Sequence, residues 1–297
     1  MLSKLYGYSW NCAIDYALLE LNLKGALSSH FHDVSIEPCA PGGTFGIFFK
    51  AELDGKPYFI KTHQGNAEAR NNLLKEINIM QALYKDCITV FSVESELPRH
   101  SAYPSQIFFV MDRLEPLSTK LSPIETVDLI LDYNKKLTLL KLNEPYSFTS
   151  ILETGETALE ELISGGLVTH EIYEACFENI RLLKSLKLSN SVICHGDLSN
   201  KNILRKNSQI IVIDWEDAFL GVPGYDFCYW LTFFDQREFY NRRIFKDTQL
   251  SHDVGIAFMT LIVIVKSIIS IRASTYKNNQ ISFNDRLSEI LLMGRLG

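Results

Sequence analysis

Two acids and an amide near the middle of the chain have the side chains that phosphoryl transfer requires. Asp197 lies in the segment 193–204, Asn202 follows five residues later, and Asp214 ends the apolar run 210–213. Magnesium ions bound to the phosphates of a nucleotide take oxygen ligands, while a separate carboxylate orients the attacking hydroxyl. Asp197 suits the hydroxyl, and Asn202 and Asp214 suit the metal.

The elements around these residues predict how they come together. Short apolar segments lie on either side of 205–209, and the composition of 205–209 is typical of a hairpin turn between two strands. Such a hairpin would bring Asn202 and Asp214 to the same end of the two strands.

These residues carry a resemblance to a known family. His195-Gly196-Asp197 with an Asn five residues after the Asp, followed by Ile213-Asp214-Trp215, resembles the catalytic loop of aminoglycoside phosphotransferases, choline kinases and related small-molecule kinases. The resemblance implies an α+β, bilobal protein-kinase-like fold with an N-terminal antiparallel sheet lobe, residues 1–115, and a mainly helical C-terminal lobe, residues 116–297. The lobes would bind nucleotide and acceptor, respectively.

A kinase fold also needs a tight turn over the phosphates and one Lys that reaches them. Gly43 and Gly46 lie in the segment 41–47 and would let backbone amides approach phosphate oxygens, because glycine has no Cβ. A glycine-rich turn by itself is more often only a turn. Lys61 closes a predicted strand fifteen residues after Gly46, and the resemblance makes it the phosphate-binding Lys.

That Lys is expected to pair with a carboxylate on the next helix. Apolar residues recur at helical spacing between 67 and 84, which predicts a helix there. Two acids compete for the pairing. Glu68 lies near the helix start, where the helix dipole alone favours a carboxylate, and Glu76 lies in the periodic part. We choose Glu76.

The segment 106–116 has the pattern of a buried strand that runs into an extended linker. The resemblance makes this linker the hinge, where backbone groups from Met111 to Arg113 would bind adenine. An interior strand of any α/β protein has the same pattern, so the assignment depends on order along the chain.

The composition limits the possible partners and compartments. The chain has 297 residues, 46% of them hydrophobic, and a formal charge of −6 without a basic stripe, which disfavours nucleic acid as a partner. Its six cysteines are scattered, which favours free thiols in a reducing compartment, and we expect a cytoplasmic protein. The apolar stretch 254–265 is short for a membrane span, so we expect a buried helix and no membrane partner.

The second half of the chain is predicted to be helical. Ser122 to Glu125 form a capping box with Pro at the first helical position, which predicts a helix to about Leu142. Further helices are predicted over 157–163 and 170–186. The resemblance implies that Asp226 hydrogen-bonds the catalytic loop.

Acids and aromatic residues alternate between 215 and 235, a composition that favours a cationic acceptor. Glu216 and Asp217 are the predicted acceptor-binding residues. A packed helical core has the same composition, and neutral acceptors stay open.

The sequence therefore predicts a kinase that uses ATP and Mg2+ to phosphorylate a hydroxyl of an aminoglycoside, an amino alcohol such as choline, or a sugar. One alternative is a protein kinase, which Ser199 disfavours because protein kinases usually carry Lys there. The other is a nucleotide-binding pseudokinase that serves as an interaction module. The presence of Lys61, Asp197, Asn202 and Asp214 together disfavours it.

Overall fold

The computed structural model describes residues 16–39, 46–63, 67–96, 105–142, 147–186, 191–241, 243–248, 250–272 and 281–295. These residues form two compact units. The sheet unit consists of the described parts of Ser9–Ser118 and Lys201–Glu216. The helical unit consists of the described parts of Thr119–Asn200 and Asp217–Gly297. The lobe boundary predicted between residues 115 and 116 stays a prediction.

The α-helices of the described residues are, in chain order, α1 (Tyr16–Leu27), α2 (Ala67–Tyr84), α3 (Pro123–Leu137), α4 (Phe148–Ser164), α5 (His170–Ser185), α6 (Tyr225–Leu231), α7 (His252–Arg272) and α8 (Phe283–Arg295). Their strands are β1 (Val34–Pro38), β2 (Gly46–Leu53), β3 (Lys56–His63), β4 (Val90–Glu96), β5 (Ser105–Asp112), β6 (Glu115–Pro116), β7 (Val192–Cys194), β8 (Ile203–Lys206), β9 (Gln209–Val212) and β10 (Phe219–Gly221). Short 3-10 helices cover Asn200–Asn202, Trp215–Asp217 and Phe234–Phe239.

The main sheet of the sheet unit is antiparallel, with the strand order β1-β2-β3-β5-β4. Every second residue of β2 from Ile47 to Leu53 is buried, as a strand with one face on a core requires. Asp54 and Gly55 both have positive φ, 49° and 74°, so a two-residue turn joins β2 to β3 with the hand that suits twisted strands. The hairpin register places Lys61 opposite Phe48.

Helix α2 begins and ends at the predicted residues, Ala67 and Tyr84. Its apolar side chains at Leu73, Ile77 and Met80 are buried, and Glu76 lies on the same buried side of the helix. The helix therefore carries a carboxylate into the interior of the unit.

A second, three-stranded sheet has the order β6-β8-β9 and contains the predicted hairpin. Ile203 pairs with Val212, and the N–H of Ile213 donates to the carbonyl of Asn202 at 2.9 Å. The predicted turn over 205–209 was too long. Asn207 adopts a positive φ of 55°, so the turn needs only two residues and β8 continues to Lys206.

The helical unit begins with the predicted capping box. The N–H of Glu125 donates to the hydroxyl of Ser122, and the N–H of Ser122 donates to the Glu125 carboxylate. The predicted end of this helix near Leu142 was wrong. Helix α3 ends at Leu137, and Leu139 is 92% exposed, so the apolar spacing stops facing the core.

Two further helix predictions fall in this unit. Helix α4 begins at Phe148, nine residues before the predicted start, because the Ser147 hydroxyl caps it by accepting from the N–H of Ser150. Helix α5 begins at the predicted His170 and ends at Ser185.

Helix α7 is apolar along its whole length. Among the described helices it is the one that is long and apolar enough to cross a membrane. However, 72% of its most apolar 18-residue segment is buried inside the protein. It packs against α4, α5, α6 and α8 of the same unit. A buried helix was the prediction for this segment.

Candidate active site

Lys61 holds three carboxylates together in the sheet unit. Its ammonium Nζ lies 2.7 Å from Glu76 Oε2, 2.7 Å from Asp214 Oδ1 and 3.0 Å from Glu216 Oε2. The chain supplies these groups from β3, from α2 and from the segment that follows β9. We call these four residues the lysine cluster.

The backbone around Asp214 fixes the cluster. Asp214 has a positive φ of 67°, a conformation that few residues other than glycine adopt. Its N–H donates to Glu76 Oε1 at 2.9 Å, so Glu76 binds Lys61 with one oxygen and the backbone with the other. Trp215 is fully buried and its Nε1–H donates to the carbonyl of Val212 at 2.8 Å, which anchors the turn.

The charges of the lysine cluster do not balance. Burial disfavours the ammonium of Lys61, but Asp214, Glu216 and Glu76 outweigh burial and raise the pKa of Lys61 well above its ordinary value. Burial raises the pKa of Glu76 to about 7, with Lys61 lowering it and Asp214 and Glu216 raising it further. One ammonium faces three carboxylates, which leaves an excess of negative charge.

This excess fits a divalent cation. Carboxylate oxygens of Glu76, Asp214 and Glu216 lie within 4.8 Å of one another, and Asn202 lines the same cavity. Hard cations such as magnesium prefer oxygen ligands of this kind. The predicted metal ligand Asn202 thus shares one cavity with the lysine cluster, to which the other predicted ligand, Asp214, belongs.

The cavity has a volume of about 230 Å³ and combines the charged residues with an apolar wall. The apolar wall consists of Phe48, Phe59, Phe109, Met111 and Ile213. An apolar wall beside fixed charges is typical of a site for a small molecule with one apolar and one charged end. Gly46 also lines the cavity, and a Cβ there would lie 2.5 Å from the ring of Phe48.

The remaining residues predicted to bind the nucleotide are distributed differently. Met111 lines the cavity, whereas Arg113 is exposed and its N–H donates to the carbonyl of Pro57 at 3.2 Å. Gly43 lies outside the described residues. The roles of all three stay predictions.

Asp226 holds the loop that carries Asp197 in the helical unit. The buried Asp226 carboxylate accepts hydrogen bonds from the Tyr133 hydroxyl at 2.6 Å, the His195 N–H at 2.8 Å and the Gly196 N–H at 3.1 Å. Burial raises the pKa of Asp226, while His195 and these donors lower it. The predicted bond from Asp226 to the loop is confirmed, and we call this arrangement the Asp226 clasp.

Gly196 is required by the shape of the loop. Its φ is 81°, and a Cβ there would lie 2.3 Å from the carbonyl oxygen of Asp217. A side chain cannot fit so close to backbone, so any other residue must move the loop.

Asp197 itself is half-buried and held from two sides. The Tyr229 hydroxyl donates to Asp197 Oδ1 at 2.7 Å, and the N–H of Asp197 donates to His195 Nδ1 at 3.2 Å. Burial raises the pKa of the Tyr229 phenol well above its ordinary value, as does the neighbouring Asp197. Tyr229 therefore stays a neutral donor that orients the carboxylate.

The two predicted acceptor-binding residues lie in different surroundings. Glu216 belongs to the lysine cluster of the sheet unit, and Asp217 is 7% exposed in the helical unit. Most aromatic residues of this segment, including Trp215, Tyr225 and Trp230, are fully buried, as the alternative of a packed core predicts. Acceptor contacts of Glu216 and Asp217 stay a prediction.

Sequence reasoning missed the hydrogen bonds that two tyrosines of the site make. Tyr133 lies 93 residues before its partner Asp226, and Tyr229 lies 32 residues after Asp197. Such distances along the chain leave no local signal that pairs either tyrosine with its acid.

Solved structures with the same fold include several kinases. The aminoglycoside phosphotransferase APH(4)-Ia matches with a TM-score of 0.59 and 12% identity, over 94% of this chain and 99% of the APH(4)-Ia chain. Choline kinase LicA from Streptococcus pneumoniae matches over the same shares, with a TM-score of 0.58 and 15% identity. Spectinomycin phosphotransferase APH(9)-Ia, solved in complex with ADP and spectinomycin, matches over 93% of both chains, with a TM-score of 0.53 and 15% identity.

These similarities confirm the predicted α+β fold of the protein-kinase type. Another structure of APH(4)-Ia is a ternary complex with AMP-PNP and hygromycin B. Among curated proteins, none has a significantly similar sequence. The sequence model of the phosphotransferase enzyme family matches residues 35–254, more than half of the chain. The chain therefore belongs to the phosphotransferase enzyme family, which confirms the resemblance and the prediction of a small-molecule kinase at the level of the family.

Proposed function

We propose that this phosphotransferase uses ATP and magnesium to phosphorylate a hydroxyl group of a small molecule in the cytoplasm. The observation that carries the proposal is the lysine cluster, because a buried Lys with surplus carboxylates suits a nucleotide with its metal. The ADP and AMP-PNP bound to related proteins support a nucleotide of this type. Free thiols at the described cysteines support a reducing compartment.

Three residues of the lysine cluster, together with Asn202, have tasks in this mechanism. Lys61, held by Glu76, positions the α- and β-phosphates of the nucleotide. Asn202 and Asp214 would hold magnesium. When bound, the metal neutralises charge on the phosphates. The apolar wall of the cavity, with Met111 among its residues, packs against the base.

The acceptor reacts at Asp197. The Asp197 carboxylate accepts a hydrogen bond from the acceptor hydroxyl and takes its proton as the oxygen attacks. A bond from this oxygen to the γ-phosphorus forms while the bond from the γ-phosphorus to the leaving oxygen of ADP breaks. Tyr229 and the Asp226 clasp keep the carboxylate in place, and so reduce the entropy that is lost on reaching the transition state.

Labelled ATP tests the proposal. The protein is incubated with ATP labelled at the γ-phosphate, magnesium and either a protein mixture or a panel of aminoglycosides, amino alcohols and sugars. We expect label only in small molecules, and a loss of about 10²- to 10⁴-fold in turnover for Asp197→Asn, with nucleotide binding retained. Asp132→Asn, an exposed acid on α3, is the matched control and should keep full turnover.

Three results would contradict the proposal or one of its parts. Label that enters only protein would make the chain a protein kinase. Binding of Mg-ATP without transfer to any acceptor would support the pseudokinase. Unchanged turnover of Asp197→Asn would remove Asp197 from the proposed mechanism.

A further inference from the structure

Lys266 occupies an aromatic cage in the helical unit. Its Nζ lies 3.7 Å from the ring centroid of Tyr229 and 3.8 Å from that of Phe233. It also donates to the hydroxyl of Thr232 at 2.8 Å. Two aromatic faces and a hydroxyl thus surround one ammonium group, an arrangement that stabilises a positive charge.

This cage is directly beside the proposed base. The Tyr229 ring whose face covers Lys266 also carries the hydroxyl that donates to Asp197. A single aromatic ring therefore separates the ammonium from the carboxylate. Asp197, Phe233 and Lys266 are all half-buried, so each of them keeps part of its surface accessible.

Capping of helix α6 does not account for the position of Lys266. Thr232 caps the C-terminus of α6, where the helix dipole favours cations. Arg286 from α8 already donates to the Thr232 carbonyl at 2.7 Å, with its guanidinium over the Phe234 ring. Lys266 binds the Thr232 side chain instead, so it is not the cation that caps the helix.

The charges facing the cage come from several elements. Arg286 and Arg237 both bind the single carboxylate of Glu289 of α8, so this group keeps one net positive charge. Asp197 lies on the other side of Tyr229. Lys266 of α7 thus places a half-buried ammonium group next to the proposed base.

We propose that the acceptor carries an anionic group, a phosphate or a carboxylate, which Lys266 binds while Asp197 takes the hydroxyl. The proposal rests on the proposed function. A cationic acceptor, one of the alternatives left open by the sequence, would meet a like charge at Lys266. The ring faces of Tyr229 and Phe233 that would hold its ammonium already hold Nζ.

Matched acceptors test the proposal. One series is glucosamine, glucose, glucuronate and glucose 6-phosphate, and a second is serinol, glycerol, glycerate and glycerol phosphate. Each compound is offered to the protein with magnesium and a non-hydrolysable ATP analogue in a calorimetric binding measurement. Transfer from labelled ATP is measured separately with the same compounds.

For the unsubstituted protein, we expect the anionic members of at least one series to bind and to accept phosphate best. Lys266→Met should weaken that binding by about 10- to 100-fold, because a hydrogen bond to a charged group is lost. Lys266→Arg should restore part of it, and the neutral members should change little. Lys136→Met on the exposed side of α3 is the matched control and should change nothing.

Separate readouts keep the two proposals distinguishable. Weak or equal binding of all anionic members, or binding indifferent to Lys266→Met, would overturn the anion site even while transfer proceeds. A shift in the KM for ATP without a shift for the acceptor would also overturn it. Anion binding that depends on Lys266, without transfer to any compound, would instead overturn the proposed function.

Discussion

Glu76 and Asp226 are both buried carboxylates, one in each unit, and their partners differ in kind. Glu76 shares the ammonium of Lys61 with Asp214 and Glu216, so charges surround it. Asp226 receives hydrogen bonds from two backbone N–H groups and the hydroxyl of Tyr133. Burial raises the pKa of both acids.

These different partners imply different roles for the two carboxylates. The lysine cluster has more negative than positive charge, so binding of a cation would stabilise it further. The Asp226 clasp is made of neutral donors around one acid, so its bonds define the shape of a loop. Changes in the lysine cluster should therefore alter binding of metal and nucleotide, and changes in the clasp should alter stability and the position of Asp197.

The largest effect is expected for Asp214→Ala. This change removes an anionic oxygen from the cluster, and we expect magnesium-dependent nucleotide binding to be lost and turnover to fall by about 10²- to 10³-fold or more. Calorimetric titration of magnesium in the presence of an ATP analogue measures it. Glu94→Ala, an exposed acid of the same unit, is the control. A normal magnesium titration of Asp214→Ala would show that the metal site lies elsewhere.

Breaking the clasp is the second test. Asp226→Ala leaves two backbone N–H groups and the Tyr133 hydroxyl buried without their acceptor, which costs about 3–5 kcal/mol. We expect the midpoint of thermal unfolding to fall by roughly 10 °C and turnover to fall with it. Nucleotide binding, measured below the unfolding transition, should be retained. Loss of nucleotide binding with unchanged stability would contradict the proposed division of roles.

Local spacing in the sequence made the lysine cluster predictable. The hairpin that joins Asn202 to Asp214 follows from two apolar segments around a turn, and α2 with Glu76 follows from helical periodicity. Glu76 is preferred to Glu68 because it lies in the periodic part of the helix, whereas the helix dipole alone accounts for an acid at Glu68. The bond of Glu76 to Lys61 has the expected partner.

The other half of the comparison, the Asp226 clasp, depends on contacts between distant parts of the chain. Tyr133 bonds Asp226, and Lys266 contacts Tyr229, only because packing of α3, α6 and α7 brings these helices together. A tyrosine or a lysine on a helix has many possible partners, and its sequence position does not select one. Likewise, adjacent residues Glu216 and Asp217 were grouped by sequence, whereas the chain passes from one unit to the next between them.

Gly196→Ala is the third test and addresses the shape of the loop inside the clasp. The substitution combines a strained positive φ with a Cβ that would lie 2.3 Å from the Asp217 carbonyl oxygen. Gly166 is a matched control, because its φ is also positive, at 64°, but a Cβ there would meet nothing within 4 Å. We expect Gly166→Ala to cost about 1–2 kcal/mol of stability and to leave turnover unchanged.

Gly196→Ala should cost more than this control and should reduce turnover about tenfold or more, because Asp197 follows directly in the chain. Thermal unfolding and steady-state kinetics of the two variants measure the difference. Equal effects of the two substitutions would mean that strain in φ alone matters and that the loop tolerates the added Cβ.

The smallest expected effect is the contribution of Glu76 to the pH dependence of folding stability. Its pKa is raised from 4.5 to about 7 in the folded protein, so between these values the folded state binds more protons than the unfolded state. Stability of the nucleotide-free protein should therefore fall as pH rises across this window. Lys61 contributes nothing to this slope, because its raised pKa leaves it protonated in the folded and the unfolded state at these pH values.

The substitution Glu76→Gln removes this titration. The stability of the variant should therefore decline less with pH than that of the unsubstituted protein, by at most about 1.4 kcal/mol per pH unit. Thermal unfolding of both proteins from pH 5 to 8 measures the two slopes, and Glu94→Gln controls for the loss of an exposed acid. Parallel slopes would show that Glu76 is ionised throughout this pH range, because Lys61 then outweighs the effect of burial on its carboxylate.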